Sequence, residues 1–392
     1  MRQPPARDIR PTPGPRGGQI APFYAMEVLK AANRRQAEGH DVLHLELGEP
    51  GGPPPPQAVA AAAAALAVEP VRLGYTEALG SPSLRRRIAQ HYRDSYGVAV
   101  DPARIAITTG SSAGFLLGFL AAFGDGARIG VSEPGYPAYR NIIAALGMTP
   151  VAVPTSHETR FQVTPALLTA AGRLDGLVIA SPANPTGTML TATEIAAIAR
   201  WCAANGVRLV SDEVYHGITF GTAAATALAA APDAIVVNSF SKYYAMTGWR
   251  VGWMIVPPDL VGAVERLSQN LYISAPTLSQ IAAEAALGST AFLDAKVAGY
   301  GRVRAQLLEI LPQAGFDRLA PADGAFYIFA DVSALTEDST AFCARMLTET
   351  GVATTPGIDF DPARGKRFMR FAIAGPADHM VEAARRLRAW RR

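Results

Sequence analysis

Lysine is scarce in this 392-residue chain: four stand against thirty-two arginines. It is not the default surface cation, so each lysine invites a local explanation. Cysteine is scarcer still. Cys202 and Cys343 are isolated and lack metal-ligand spacing, which argues against a disulfide framework or a cysteine metal centre and goes with structural thiols in a reducing compartment. Long apolar runs are absent as well. The longest, 58–68 and 113–124, fall short of the ~20 residues of a membrane-spanning helix and read as helices of a globular protein. Net charge is only +3, and basic blocks are limited to Arg85-Arg86-Arg87 and Arg391-Arg392. Solvated helix faces explain these better than nucleic acid does. The start, MRQPPARDIRPTPGPRGG, lacks the apolar core of a secretory signal. Residues 1–19 read as a flexible arm of a cytoplasmic protein.

What is present is the length and patterning of an α/β protein of two parts. PFYAMEVLKAANRRQAEG (22–39) has a helical period, and DVLHLELGEPGGPPPP (41–56) reads as a strand entering a stiff proline turn. From about 103, short apolar strands alternate with helices: RIAITTG, ARIGVSEP, TPVAVPT, LDGLVIASP, VRLVSDEVY and DAIVVNSFS. That alternation predicts a mostly parallel mixed sheet covered by helices. Helical pattern fills 260–311, and the remainder, including GAFYIFADVS and KRFMRFAIAG, reads as a smaller α+β domain. The expected division is an N-terminal segment over 20–49 that joins the smaller domain, a large domain over 50–290 and a small one over 291–392.

Ligands of open α/β sheets gather at the carboxyl ends of the strands, and four such ends carry complementary polar residues. Thr109-Gly110-Ser111-Ser112 turns from a strand into a helix, offering free backbone N–H groups and a helix dipole to an anion such as phosphate; plain serine capping is the alternative. Asp212, at the tip of VRLVSDEVY, would require a partner if buried. A protonated ring nitrogen or a nearby arginine would serve. Asn184 in NPTG also suits an ordinary turn. The fourth end, NSFSKYYAMTGWRVGW (238–253), carries Lys242. A lysine desolvated at a strand end loses basicity and becomes a nucleophile for carbonyls, the chemistry of a Schiff base. A snorkelling surface lysine is the plainer reading.

Taken together and in order, SPANPTG, SDEVY, SFSKYYAMTGWRVGW and RFAIAG resemble the pyridoxal-phosphate-dependent aminotransferases of class I and II, fold type I. The resemblance runs from about residue 20 to the C-terminus and implies pyridoxal 5'-phosphate as cofactor. It implies Lys242 as the Schiff-base lysine, and Arg250, Ser239, Gly110, Ser111 and Ser112 as the phosphate site. Tyr136 would stack on the cofactor ring, Asn184 and Tyr215 would hydrogen-bond its phenolic oxygen, and Asp212 would pair with its ring nitrogen. Arg370, in FMRFAIAG, would grip the substrate α-carboxylate, with Arg367 the poorer candidate, and Gly48 would let backbone approach the substrate. Tyr75 would reach the phosphate of a neighbouring subunit, which implies a homodimer with shared active sites.

The reaction implied is ping-pong transfer of an amino group from an L-amino acid to a 2-oxo acid, with Lys242 as nucleophile and proton carrier. Related scaffolds carry out β-elimination as C–S lyases, and others keep the fold as a catalytically silent sensor. Regulators of that kind usually carry a winged-helix domain ahead of the fold, and about twenty residues at the start are too few for one. Segment 267–280, LSQNLYISAPTLSQ, has no arginine to meet a second substrate carboxylate. The reading therefore leans toward neutral or apolar amino acids, or a broad range, over aspartate, with Phe23, Tyr24 and Tyr272 as candidate pocket residues and helix packing the plainer role for the first two.

Overall fold

The computed structural model describes residue 18, residues 20–71 and residues 73–390. The expectation of a flexible arm over 1–19 lies, residue 18 apart, outside the described residues. The chain opens with helix α1 (Tyr24–Ala37), strand β1 (Leu43–His44) and helices α2 (Pro56–Ala67) and α3 (Pro82–Tyr96). Strands and helices then alternate: β2 (Ile105–Thr108), α4 (Ser111–Ala122), β3 (Arg128–Glu133), α5 (Pro137–Ala145), β4 (Thr149–Pro154), α6 (Pro165–Ala170), β5 (Gly176–Ala180), α7 (Ala192–Asn205) and β6 (Arg208–Asp212). Strands β7 (Ile235–Ser239) and β8 (Gly252–Ile255) lead into helices α8 (Pro258–Leu271), α9 (Thr277–Ala286) and α10 (Thr290–Gln313). The last part holds β9 (Tyr327–Asp331), α11 (Ser339–Thr350), β10 (Val352–Ala353), β11 (Thr355–Pro356), β12 (Phe368–Ala372) and α12 (Ala377–Ala389).

The main sheet has the order β2-β8-β7-β6-β5-β3-β4. β8 runs antiparallel to both its neighbours, and the other pairs are parallel. The ends of β2, β3, β5, β6 and β7 therefore face one edge. β5 and β7 are buried at every residue, as expected of strands covered on both faces, and for that reason they read as continuous apolar runs and not as alternating ones. α4 lies close on the sheet because its inner face is small: a Cβ on Gly114 would meet the Val237 side chain at 3.0 Å. That approach brings the start of α4 to the end of β7.

A second sheet, β11-β12-β9, is antiparallel, and β1 pairs in parallel with β10. The early segment thus joins the late one, packed with α10 and α12 around Leu307, Phe316, Tyr327, Phe371 and Met380. The helical region 260–311 is divided where Tyr272 ends α8 and where Gly288 and Ser289 precede α10. No helix of the described residues is long and apolar enough to cross a membrane.

Candidate active site

The strand ends of the main sheet meet the second sheet and the start of α1 at a cavity of about 220 Å³. Ser111, Tyr136, Asn184, Asp212, Tyr215 and Lys242 line it from the main sheet, Tyr327 and Arg370 from the second sheet, and Phe23, Ala25, Met26, Leu47 and Gly48 from the N-terminal segment.

Lys242 follows β7 and donates to the Gly48 carbonyl at 2.5 Å. Burial lowers its pKa to about 8, helped by the positive charges of Arg370 and Arg250, so roughly a fifth of the amine is neutral near physiological pH, far more than for an ordinary lysine. Asp212 closes β6, accepting the hydroxyl of Tyr139 and, at 3.0 Å, the N–H of Val214. Burial raises its carboxyl to about 6 despite those bonds. A cation in the cavity would relieve that cost, since an opposite charge favours the ionised form.

At the other end, Gly110 takes φ +78° and caps α4, and a Cβ there would come within 2.3 Å of the Arg250 guanidinium. Only glycine leaves that space. Arg250 itself has φ 50° after the turn at Thr247–Trp249 and donates to the Thr247 carbonyl at 3.0 Å. A Cβ on Gly252, which pairs with Ser239, would lie 3.1 Å from the Ser111 nitrogen. The Ser239 hydroxyl is bonded to Ser241, at 2.9 Å from its hydroxyl and 3.0 Å from its N–H. Free helix N–H groups, two serines and a guanidinium so converge on one space, a constellation suited to phosphate.

Arg370 is buried on β12. Its guanidinium donates to the Asn184 side chain at 2.9 Å and to the Glu46 carbonyl at 2.6 Å, and lies 4.5 Å from the Tyr327 ring centre. Its Nε has no hydrogen-bond partner, and no carboxylate pairs with it among the described residues. A structural ion pair is therefore not its arrangement. Arg367 does pair with Asp331, at 2.6 Å near the surface.

Of the residues singled out in the sequence, Gly48, Ser111, Tyr136, Asn184, Asp212, Tyr215, Lys242 and Arg370 line the cavity, whereas Gly110, Ser112, Ser239 and Arg250 do not and lie beside Ser111. Ser112 is exposed on the first turn of α4, beside Ser111. Tyr75 is 80% exposed and is not among the cavity residues. Phe23 lines the cavity, whereas Tyr24 and Tyr272 do not; Tyr272 packs at the edge of the core that includes Leu260 and Val264. Sequence reasoning missed Tyr139, Tyr327 and Ser241. For Tyr139 a signal existed: it lies three residues beyond Tyr136, a helical spacing that keeps two side chains on one face. Tyr327 offered none. Its hydroxyl bonds that of Tyr215 at 2.6 Å, and a Cβ on Gly48 would sit 2.0 Å from it.

Residues 40–387 match the family aminotransferase class I and II. A valine–pyruvate aminotransferase of Mycobacterium tuberculosis is 51% identical over 376 residues, covering 95% of this chain and 96% of that protein. The crystal structure of an aminotransferase from M. tuberculosis superposes with a TM-score of 0.94 at 50% identity, over 97% of this chain and 99% of that one. An aspartate aminotransferase from Thermus thermophilus, solved with maleate, superposes with a TM-score of 0.91 at 30% identity, over 97% and 100% of the two chains. The chain belongs to the class I and II aminotransferases, with the α/β fold of that family. It is an aminotransferase, and the cofactor of the family is pyridoxal 5'-phosphate. The residues present fit that group: a buried carboxylate in need of a cation and an amine of lowered basicity line one cavity, and Ser111 joins it to the anion cradle of Gly110 and Arg250.

Proposed function

We propose that this aminotransferase takes a neutral aliphatic amino acid of about the size of valine as donor and a small 2-oxo acid such as pyruvate as acceptor. The carrying observation is the charge of the cavity: Lys242 and Arg370 are the only basic residues lining it among those described, and the rest of the wall includes Phe23, Met26, Leu47 and Phe115. Within one protomer a second substrate carboxylate would find no cation there, and leaving it unpaired is costly. The name of the M. tuberculosis relative points the same way.

In this reading Arg250, Ser239, Gly110, Ser111 and Ser112 would hold the cofactor phosphate, Tyr136 would cover the ring, and Asn184 and Tyr215 would bond its phenolic oxygen. Asp212 would hold a proton on the ring nitrogen. The bound cofactor supplies an electron sink for bond breaking at the substrate Cα. Arg370 would orient the α-carboxylate, and Gly48, whose missing Cβ leaves space for the Tyr327 hydroxyl, would let backbone approach the substrate. Lys242 would hold the cofactor through its aldehyde and would carry the Cα proton. A homodimer with shared sites goes with this assignment. Exposure of Tyr75, with Val68, Val71, Leu271 and Ile273 also exposed, supports the pairing. The divisions of the chain near residues 50 and 290 are supported by the pairing of β1 with β10 and by the separate second sheet. A cytoplasmic location agrees with two buried, unpaired cysteines.

The test mixes cofactor-loaded enzyme with single amino acids and follows the change in cofactor absorbance. Valine should react faster than aspartate, and the reverse order would sink the substrate assignment. Lys242→Ala should abolish steady turnover, a loss of at least roughly 10⁴-fold for a residue that is both nucleophile and acid–base group. Full turnover in that variant would remove Lys242 from its role.

A further inference from the structure

α1 begins without a cap of its own. The residue before it is Phe23, whose side chain can accept nothing, yet the first N–H groups of a helix need acceptors. They find one more than three hundred residues away. The carboxylate of Asp359, only 1% exposed, accepts the N–H of Tyr24 at 3.3 Å and of Ala25 at 3.1 Å. A carboxylate there is also favoured by the helix dipole.

Arg140 of α5 donates to the carbonyl of Asp359 at 2.6 Å. One residue thereby ties the start of α1 to the helix that follows Tyr136. The Phe23 ring meets the Tyr136 ring edge-on, with centres 5.8 Å apart. Phe23, Ala25 and Met26 all line the cavity, and Asp359 does not.

We propose that Asp359 is a positioning residue for side-chain selection: by capping α1 from afar it holds the wall of Phe23, Ala25 and Met26 against the substrate side chain. This deepens, and rests on, the aliphatic-substrate reading above. A donor with a short side chain does not reach the wall, whereas a branched one packs on it. Loosening the cap therefore changes discrimination by length and leaves the chemistry in place.

The test uses cofactor-loaded Asp359→Asn, Asp359→Ala and Phe23→Ala proteins with alanine, valine and leucine in the half-reaction. Valine and leucine should lose about tenfold in kcat/KM, the scale of a few lost apolar contacts, while alanine changes by less than about threefold. Cofactor absorbance and affinity should be unchanged in the two Asp359 variants. The Asp359→Ala/Phe23→Ala double variant should be scarcely worse than either single one, because both remove the same wall. Amide exchange at Tyr24 and Ala25 should quicken in Asp359→Asn.

Equal proportional losses for alanine and leucine, or an unchanged ratio, would overturn the proposal. If Asp359→Ala yields no folded protein, Asp359→Asn and Phe23→Ala decide it by the same ratio. A wild-type preference for aspartate would sink the aliphatic reading alone, since the leucine-to-alanine ratio is judged among neutral amino acids.

Discussion

Asp212 and Glu213 are neighbours in the chain, both buried carboxylates, and they face opposite sides of the end of β6. On the rear side Glu213 is wrapped by donors from the fold: the Thr226 hydroxyl and Ala227 N–H at 2.9 Å, the Tyr92 hydroxyl at 3.3 Å and the Ser211 hydroxyl at 3.4 Å. On the front side Asp212 has the Tyr139 hydroxyl and the Val214 N–H, and its remaining surroundings are cavity. Burial raises both, to about 6 for Asp212 and about 7 for Glu213. The difference lies in what each still needs. A carboxylate enclosed by fixed donors ties strands together, whereas one left partly open toward a cavity can receive a cation and give it back.

Asp212→Asn should break the front side without touching the rear. Turnover should fall by roughly 10²–10⁴-fold, the scale of an acid–base contribution, while thermal unfolding at neutral pH without cofactor stays put or shifts upward, since no charge remains to be buried. Loss of the fold instead would place Asp212 with Glu213 as a structural group.

Glu213→Ala should do the opposite. It strands two hydroxyls, an N–H and a phenol, and denaturant unfolding should show a loss of about 3 kcal/mol, with turnover per folded enzyme nearly kept. Glu213→Gln, which retains an acceptor, should recover much of that stability. A Glu213→Ala protein of native stability and no turnover would erase the contrast.

Removing the Tyr139 hydroxyl with Tyr139→Phe should cost about tenfold in turnover, the value of one hydrogen bond to a charged group, with cofactor affinity little changed. A smaller effect should appear in the pH dependence of stability without cofactor. Both carboxyls keep their protons in the folded state to a higher pH than in the unfolded chain. At these two groups the folded state binds more protons from about pH 4 upward, and their contribution to stability falls as pH rises. The share of Asp212 is spent by about pH 6 and that of Glu213 by about pH 7. His91 and His216, which burial holds down to about 4, work in the opposite sense on the acid side. Comparison of the wild type with Asp212→Asn and Glu213→Gln isolates each carboxyl: the downward slope should shrink in each variant, and an unchanged slope would mean that the folded state does not raise that group.

The contrast between the two faces was half legible beforehand. The alternation of apolar strands with helices places Gly110, Asn184, Asp212 and Lys242 at strand ends, because one strand carries a run of buried residues and stops where polar ones begin. The eight residues from Lys242 to Arg250 are likewise local, long enough to turn out of β7 and back into β8. Such features depend on neighbours in sequence, where backbone period and solvation leave a pattern. Other features have no such record. Tyr327 against Gly48, the Glu46 carbonyl beneath Arg370, and Asp359 on the first turn of α1 join residues hundreds of positions apart, each ordinary in its own segment. Tertiary packing alone decided them, because the contact that gives each residue its task forms only when the second sheet and the N-terminal segment close over the strand ends.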